Sequence, residues 1–495
     1  MTPRSPLRAL WAGALAAALL AGCASTEGVA PSRAELRDAA SLGLNGEQAR
    51  PGLNGEQAHA ELAQLAPHWW RELGDAQLDR LVDQALRDSP SLQLAQARVA
   101  RALANADLAD SASGPQLNGA LDFTHQRFTA KGMVPAPLAG SVQDTATLQL
   151  NGAWEIDFFG RHRAALNAAL GSAQAAQAEA AAARSLLATQ VVRGYLQLAR
   201  LQQQQVLAQR ALLQRQSMLD LVAQRARAGL DGVLELRQSE GGVPQARQQL
   251  EAVNEQIELA RHALAALVGD PAQDPLVRLP QLADLTPLTE PQALPADLLG
   301  RRPDIAAARW RVQAARSQAD RARAEFYPNL NLVAYVGLSS IGLDQLFSSG
   351  ARQWGVGPAL RLPVFDGARL RAQLRGSHAE LDAAVESYNA SVIEAVHEVR
   401  DQLASARSVA LQRTQQAQAL LSAEAAYSIA EQRYAAGLAN HLQLLAAESA
   451  VLEQRRLDVD LRTRALQAQV NLAHALGGGW REGAELAAAA LPAQP

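Results

Sequence analysis

Two stretches of the sequence run without proline for 68 and 69 residues, Arg161–Ala228 and Ala368–Ala436, and a glycine follows each, Gly229 and Gly437. Ala, Leu, Gln and Arg, all good helix formers, dominate both. At ~1.5 Å per residue each helix would be about 100 Å long, more than a compact domain holds. A helix of that length needs a coiled-coil-like partner beside it. Part of the second run provides a seam: Leu381, Val385, Tyr388, Val392, Ala395 and Val399 are spaced 4, 3, 4, 3 and 4. That is the 3.5-residue period of a left-handed coiled coil. Shorter runs follow the glycines, Leu230–Val268 and Leu438–Leu476, so Gly229 and Gly437 are predicted to be hairpin tips. Neither return run covers its long helix, which predicts two shorter helices end to end against each long one. Gly232, Gly241, Gly242 and Pro244 predict a loosened or kinked first return.

The breakers also reveal a duplication. Pro90 and Pro115 are 25 apart, and so are Pro303 and Pro328. Gly160 to Gly229 is 69 residues and Gly367 to Gly437 is 70, while Gly229–Gly269 and Gly437–Gly477 are both 40. "DFFGR" at Asp157–Arg161 answers "VFDGAR" at Val364–Arg369. The chain therefore reads as two tandem copies of one unit, 67–269 and 303–480, joined by a Pro-rich segment at 270–302. A tail follows at 481–495.

Each copy holds two stretches that alternate with period two, about 115–128 and 145–157 in the first, 329–339 and 354–364 in the second. Leu148, Leu150, Trp154 and Ile156 oppose Thr147, Gln149, Asn151 and Glu155. Strands of this length cross a bilayer at a tilt, and apolar-out, polar-in is the pattern of membrane barrels. Soluble hairpins are the other reading. Four strands cannot close a barrel, and lipid does not tolerate open edges, so membrane strands would require several chains. Pro358 is awkward for a central strand. Both ends of each hairpin join helices, so all helices are expected on one side of the membrane.

The first 22 residues read as a signal peptide, with Arg4 and Arg8 ahead of the apolar run Ala9–Ala21. It ends in "LAGC", and Cys23 is the chain's only cysteine. A lone cysteine there resembles a bacterial lipobox, with diacylglycerol and an N-acyl chain expected on Cys23 and no other cofactor. Ala24 follows where an inner-membrane sorting signal would place Asp, and the anchor puts the helices in the periplasm. A linker spans 23–66, where "GLNGEQA" occurs at both Gly43–Ala49 and Gly52–Ala58. A net charge of −3 gives no basic footprint for nucleic acid.

"HWWRELGDAQLDRLVDQAL", "EIDFFGRHRAAL", "LLGRRPDIAAARWRV", "FYPNLNLVAYVGLSS", "LPVFDGARLRAQL", "YNASVIEAVHEVRDQL", "RYAAGLANHLQLL" and "HALGGGW" stand between Cys23 and Trp480. Together they resemble the outer membrane factors, TolC-like channels, and among them the NodT/OprM-type efflux lipoproteins. The resemblance implies a mainly α fold with a small β part. Three chains of four strands would form one β-barrel, continued by an α-barrel of long antiparallel coiled coils. It implies a homotrimer in the outer membrane of a Gram-negative bacterium, a periplasmic adaptor, and an inner-membrane transporter of the RND or MFS type. By position, "RARAGLDG" and "RYAAGL" would be the adaptor-contacting tips, which selects Arg225, Gly229, Asp231, Arg433, Tyr434 and Gly437. Solvated charge at helix ends is the other reading of the arginines. The family usually carries an aspartate at the pore constriction just after the second tip. Here Ala446 stands there after Leu445, leaving Glu235, Glu448 and Asp231 as substitute gate carboxylates.

No HExxH, Walker-type loop or GxSxG occurs, and "GVGPAL" lacks the third glycine of a dinucleotide loop. The nine histidines are scattered without ligand spacing. An export duct without enzymatic activity is the expectation, carrying drugs or other small toxic compounds. A type I protein secretion channel and a periplasmic coiled-coil adaptor or scaffold remain as alternatives.

Overall fold

A computed structural model describes residues 25–37, 66–272, 274, 276–288 and 301–482. The leader, Cys23, the paired "GLNGEQA" segments and the tail beyond Glu482 lie outside the described residues. Helix α1 (Ala76–Asp88) is capped by Asp75, whose carboxylate accepts from the Gln77 N–H at 2.8 Å. Helix α2 (Pro90–Ser111) begins on a proline, which loses nothing at the first helical position. Strands β1 (Gln116–Arg127) and β2 (Val142–Ile156) follow, then the long helix α3 (Arg161–Arg227) and its return α4 (Val233–Val268). The second copy repeats the order: α5 (Pro303–Ala324), β3 (Asn329–Ile341), β4 (Arg352–Arg361), α6 (Gly367–Ala435) and α7 (His441–Ala475). Helix α4 runs uninterrupted through Pro244, with Gly232 as its N-cap. No described helix is long and apolar enough to cross a membrane.

The expected strands are present, with ends shifted by one to three residues. β2 starts at Val142, three residues early, and β4 stops at Arg361, three residues early, opposite Asn329 where its partner β3 begins. All four join in one antiparallel sheet of order β1-β2-β3-β4, so Pro358 lies on a strand at the edge of the chain's own sheet. The register sorts every residue onto one of two faces. Leu117, Leu121 and Phe123 share a face with Leu148, Leu150, Trp154, Leu332, Val336, Leu338, Trp354, Val356 and Leu360. The other face carries Asn118, Thr147, Gln149, Asn151, Asn331, Ser339 and Gln353. Among the described residues nothing covers the apolar face: Leu121 is 70% exposed and Trp354 76%. A soluble hairpin would bury that face.

The chain divides into two compact units, and neither is a sequence repeat: each takes part of both copies. Of the described residues, the first contains 25–36, Arg98–Ala176 and Ala308–Tyr388. It holds the sheet and a small core of Ala322, Phe326, Leu370 and Leu374, with Val29 packed on it. Gly171 of α3 lets Ala314 of α5 approach so closely that a Cβ would stand 3.2 Å from the Ala314 Cα. An extended strap, residues 25–37, lies along α6. His378 donates to the Ala30 carbonyl at 2.7 Å. Asp382 accepts from the Ser32 hydroxyl at 2.6 Å and the Arg33 and Ala34 N–H groups at 2.9 and 3.0 Å.

The second unit holds the largest core. Trp69, Trp70 and Leu73 join Leu78, Val82, Tyr195, Leu196, Ile257 and Leu264, which fastens α1 and α4 to the middle of α3. The Tyr195 hydroxyl donates to Asp75 at 2.6 Å inside it. In α6, four of the six seam positions, Val385, Val392, Ala395 and Val399, are buried, while Leu381 and Tyr388 are half-buried. Val399 packs on Leu472 and Ala475 of α7 and on Leu476, which caps that helix.

Candidate functional site

The two hairpin tips share one backbone solution. At the first, the Gly229 N–H donates to the Ala226 carbonyl at 3.0 Å and the Leu230 N–H to Arg225 at 2.9 Å. At the second, Gly437 donates to Tyr434 at 3.0 Å and Leu438 to Arg433 at 2.8 Å. This paired pattern is a Schellman end, which satisfies the last carbonyls and places the glycine in the left-handed region. The φ values are 72° and 75°. A Cβ on either glycine would meet nothing within 4 Å, so conformation alone demands glycine there.

The returns start differently. The Gly232 N–H donates to the Glu235 carboxylate at 3.0 Å, half of a capping box. At the second tip Asn440 caps α7 by accepting from the Gln443 N–H at 2.9 Å.

A side-chain clasp joins the two tips. Arg225 donates to both carboxylate oxygens of Asp231, at 2.9 and 3.2 Å, and to the Tyr434 carbonyl at 3.0 Å. The Tyr434 hydroxyl donates to the same carboxylate at 2.5 Å. The guanidinium lies over the Tyr434 ring, 4.5 Å from its centroid. These groups are sheltered: side-chain exposure is 13% for Arg225 and 9% for Asp231, and Tyr434 is fully buried. The hydrogen bonds from Arg225 hold the Asp231 carboxyl below its ordinary range, and burial pushes the Tyr434 phenol up. Beneath the clasp, Tyr434 packs with Met218, Val222 and Leu444. His441 sits 5.8 Å from the Tyr434 ring, and burial lowers its pKa, which keeps the imidazole neutral near pH 7.

Arg433 occupies the place in the second tip that Arg225 has in the first, yet it is exposed and reaches only its own Leu438 carbonyl, at 3.4 Å. Around both turns Leu230, Val233, Leu234, Leu438 and Leu442 are exposed as well. The tips therefore present apolar side chains and the exposed guanidinium groups of Arg227 and Arg433.

The substitute gate carboxylates lie in three different settings within the chain. Glu448 is 4% exposed, with its Oε1 3.5 Å from the Arg215 Nε of α3. Burial pushes its carboxyl up, and it faces the helix packing of its own chain. Its phase explains this: His441, Leu444, Glu448 and Val451 form the buried stripe of α7. Glu235 is spent on the helix cap and Asp231 on the clasp. Of the gate positions after the second tip, Ala446 is exposed and Leu445 half-buried. Sequence reasoning missed the clasp, because Asp231 and Tyr434 are 203 residues apart. Among the described residues no group of three or more His, Cys, Asp or Glu could hold a metal ion.

Residues 81–270 and 294–478, one stretch in each sequence copy, match the family described as outer membrane efflux protein. The multidrug resistance outer membrane protein MdtP of Escherichia coli K12 is 34% identical over 431 residues, 84% of this chain and 87% of MdtP. The outer membrane protein VceC of Vibrio cholerae superposes with a TM-score of 0.80 at 37% identity, covering 84% of this chain and all of VceC. The outer-membrane channel OprN gives 0.80 at 26% identity, over 92% and 98% of the two chains. An uncovered apolar sheet face, two long helical hairpins and these matches agree: the chain belongs to the outer membrane efflux protein family, as a channel subunit of the outer membrane.

Proposed function

We propose that three copies of this chain form an efflux duct that exports small toxic compounds, docks a periplasmic adaptor at its hairpin tips, and draws its energy from an inner-membrane pump of the RND or MFS type. Acylation of Cys23 would tether each copy to the membrane. The observation that carries this reading is the sheet, with one face apolar and, among the described residues, uncovered, and with the outer edges of β1 and β4 unpaired. Lipid tolerates such edges only if they pair with other chains. The exposed leucines at the tips and the cation of Arg433 support docking there, since clustered exposed apolar side chains mark interaction sites and arginine is enriched among binding hot spots. The clasp gives the tips a bistable element: while Arg225, Asp231 and Tyr434 stay joined the two hairpins of a chain are held together, and their parting frees them to splay.

Cys23 is the only cysteine, so cysteine pairs can be introduced cleanly. With one cysteine in β1 and one in β4, oxidised outer membranes should yield covalently linked trimers. If only unlinked monomers form at every pair tried, the reading fails. A photo-crosslinking residue at Leu438 should capture the adaptor in cells.

A further inference from the structure

The polar face of the sheet is poor in charge. Along its whole register only Asp122, Glu155 and Arg361 carry charge at neutral pH, among amide, hydroxyl and small side chains with Val333, Tyr335 and Ile341. Glu155 is already matched: Arg161 bonds it directly and the His162 Nε2 lies 3.2 Å away. Asp122 and Arg361 are both exposed, and neither makes an ion pair among the described residues. They stand far apart. Asp122 is level with Thr147 and, through it, with Ser339, whereas Arg361 is level with Asn329. Ten residues of β3 separate those levels, roughly 34 Å along the strand. The Debye length at physiological salt is about 8 Å, so the two charges act independently on anything passing between them.

We infer that Asp122 and Arg361 set the charge selectivity of the duct, Asp122 as a carboxylate ring toward the hairpin-loop end of the barrel and Arg361 as a guanidinium ring at the end where the strands meet the helices. This rests on the trimeric duct proposed above, which repeats each residue three times around the lumen. The rings oppose one another in sign, and the lining between them is uncharged apart from the paired Glu155, mostly amide and small side chains with Val333 and Tyr335 among them. Compounds of either charge then meet one attractive and one repulsive ring, so the barrel favours cargo whose charge is small or internally balanced.

The test is the cation-to-anion permeability ratio of the full-length channel in planar bilayers under a salt gradient. A unit charge about 8 Å away in water biases an ion roughly twofold. Arg361→Gln should therefore raise the ratio, and Asp122→Asn should lower it, each by about a factor of two or more. Arg352→Gln, on the apolar face opposite Leu338, should leave it unchanged. If conductance persists and neither lumen variant moves the ratio, or if Arg352→Gln moves it as much as Arg361→Gln, the inference is overturned and the duct stands. If the wild-type protein forms no conducting channel, the duct itself fails and the inference with it.

Discussion

The first tip, at Gly229, and the second, at Gly437, have the same turn 208 residues apart, but their side chains do opposite things. Arg225 is folded into a sheltered pair with Asp231, while its counterpart Arg433 stands in solvent because Ala439 occupies the place of the aspartate. The second tip contributes Tyr434 to the clasp and keeps its arginine outside. The backbone of a hairpin end is thus fixed by two hydrogen bonds and one glycine, and a single neighbouring residue decides whether the arginine holds the chain together or faces outward.

The largest effect should come from Asp231→Ala. It strands Arg225 and the Tyr434 hydroxyl in a sheltered place, which costs about 2–3 kcal/mol. Hydrogen exchange at the first tip should accelerate by about thirtyfold or more, and channels should leak without adaptor. Ala substitution of Arg433 should do neither, and equal acceleration in both variants would erase the distinction between the tips.

Next in size, Gly229→Ala and Gly437→Ala should each cost about 1–2 kcal/mol, from the left-handed conformation alone. Because a Cβ meets nothing at either site, the two losses of thermal midpoint should match. A larger loss at one would reveal a partner that this chain alone does not contain.

The two carboxylates should respond to pH with opposite sign. Asp231, held below its ordinary 3.8, binds fewer protons folded than unfolded, so its contribution is full above that value and disappears as pH falls further. Glu448, raised above 4.5 by burial, binds more protons folded than unfolded. Its penalty sets in as pH rises past 4.5 and levels off beyond its folded value. Asp231→Asn should flatten the acid limb of the thermal midpoint against pH, and Glu448→Gln should remove the decline above 4.5. An unchanged profile in Glu448→Gln would contradict its buried placement.

The smallest effect should come from Ala439→Asp, which offers Arg433 the partner that Arg225 has. An exposed pair adds only about 0.3–1 kcal/mol, but adaptor capture from Leu438 should weaken more than stability changes.

The sequence was most legible where one residue type has one physical use. Proline-free length forecast α3 and α6, the glycine intervals marked both tips, and strict alternation sorted the sheet faces that the register then aligned. It was least legible where distant segments meet. Nothing near Tyr434 points to Asp231, and nothing near residue 30 points to Asp382 on α6. Glu448 lies between these cases: its spacing from Leu444 and Val451 matches the buried phase, a signal that weighed less than its charge. Two strand ends moved by three residues because hydrogen bonding, not hydropathy, decides where a ladder starts or stops.

The strap along α6 has a mechanical meaning. Its contacts advance in step, from Ala30 on His378 through Ser32 to Ala34 on Asp382 and on to Arg37, which donates to Asn389 at 2.9 Å. A pull on the N-terminus along the strap would load these bonds together in shear, where resistance is greatest, and deliver the force to α6. Ser25 is two residues from Cys23, a reach of about 7 Å at full extension. If Cys23 is held in lipid, the membrane's tug ends on a helix and leaves the edge strands of the sheet unloaded.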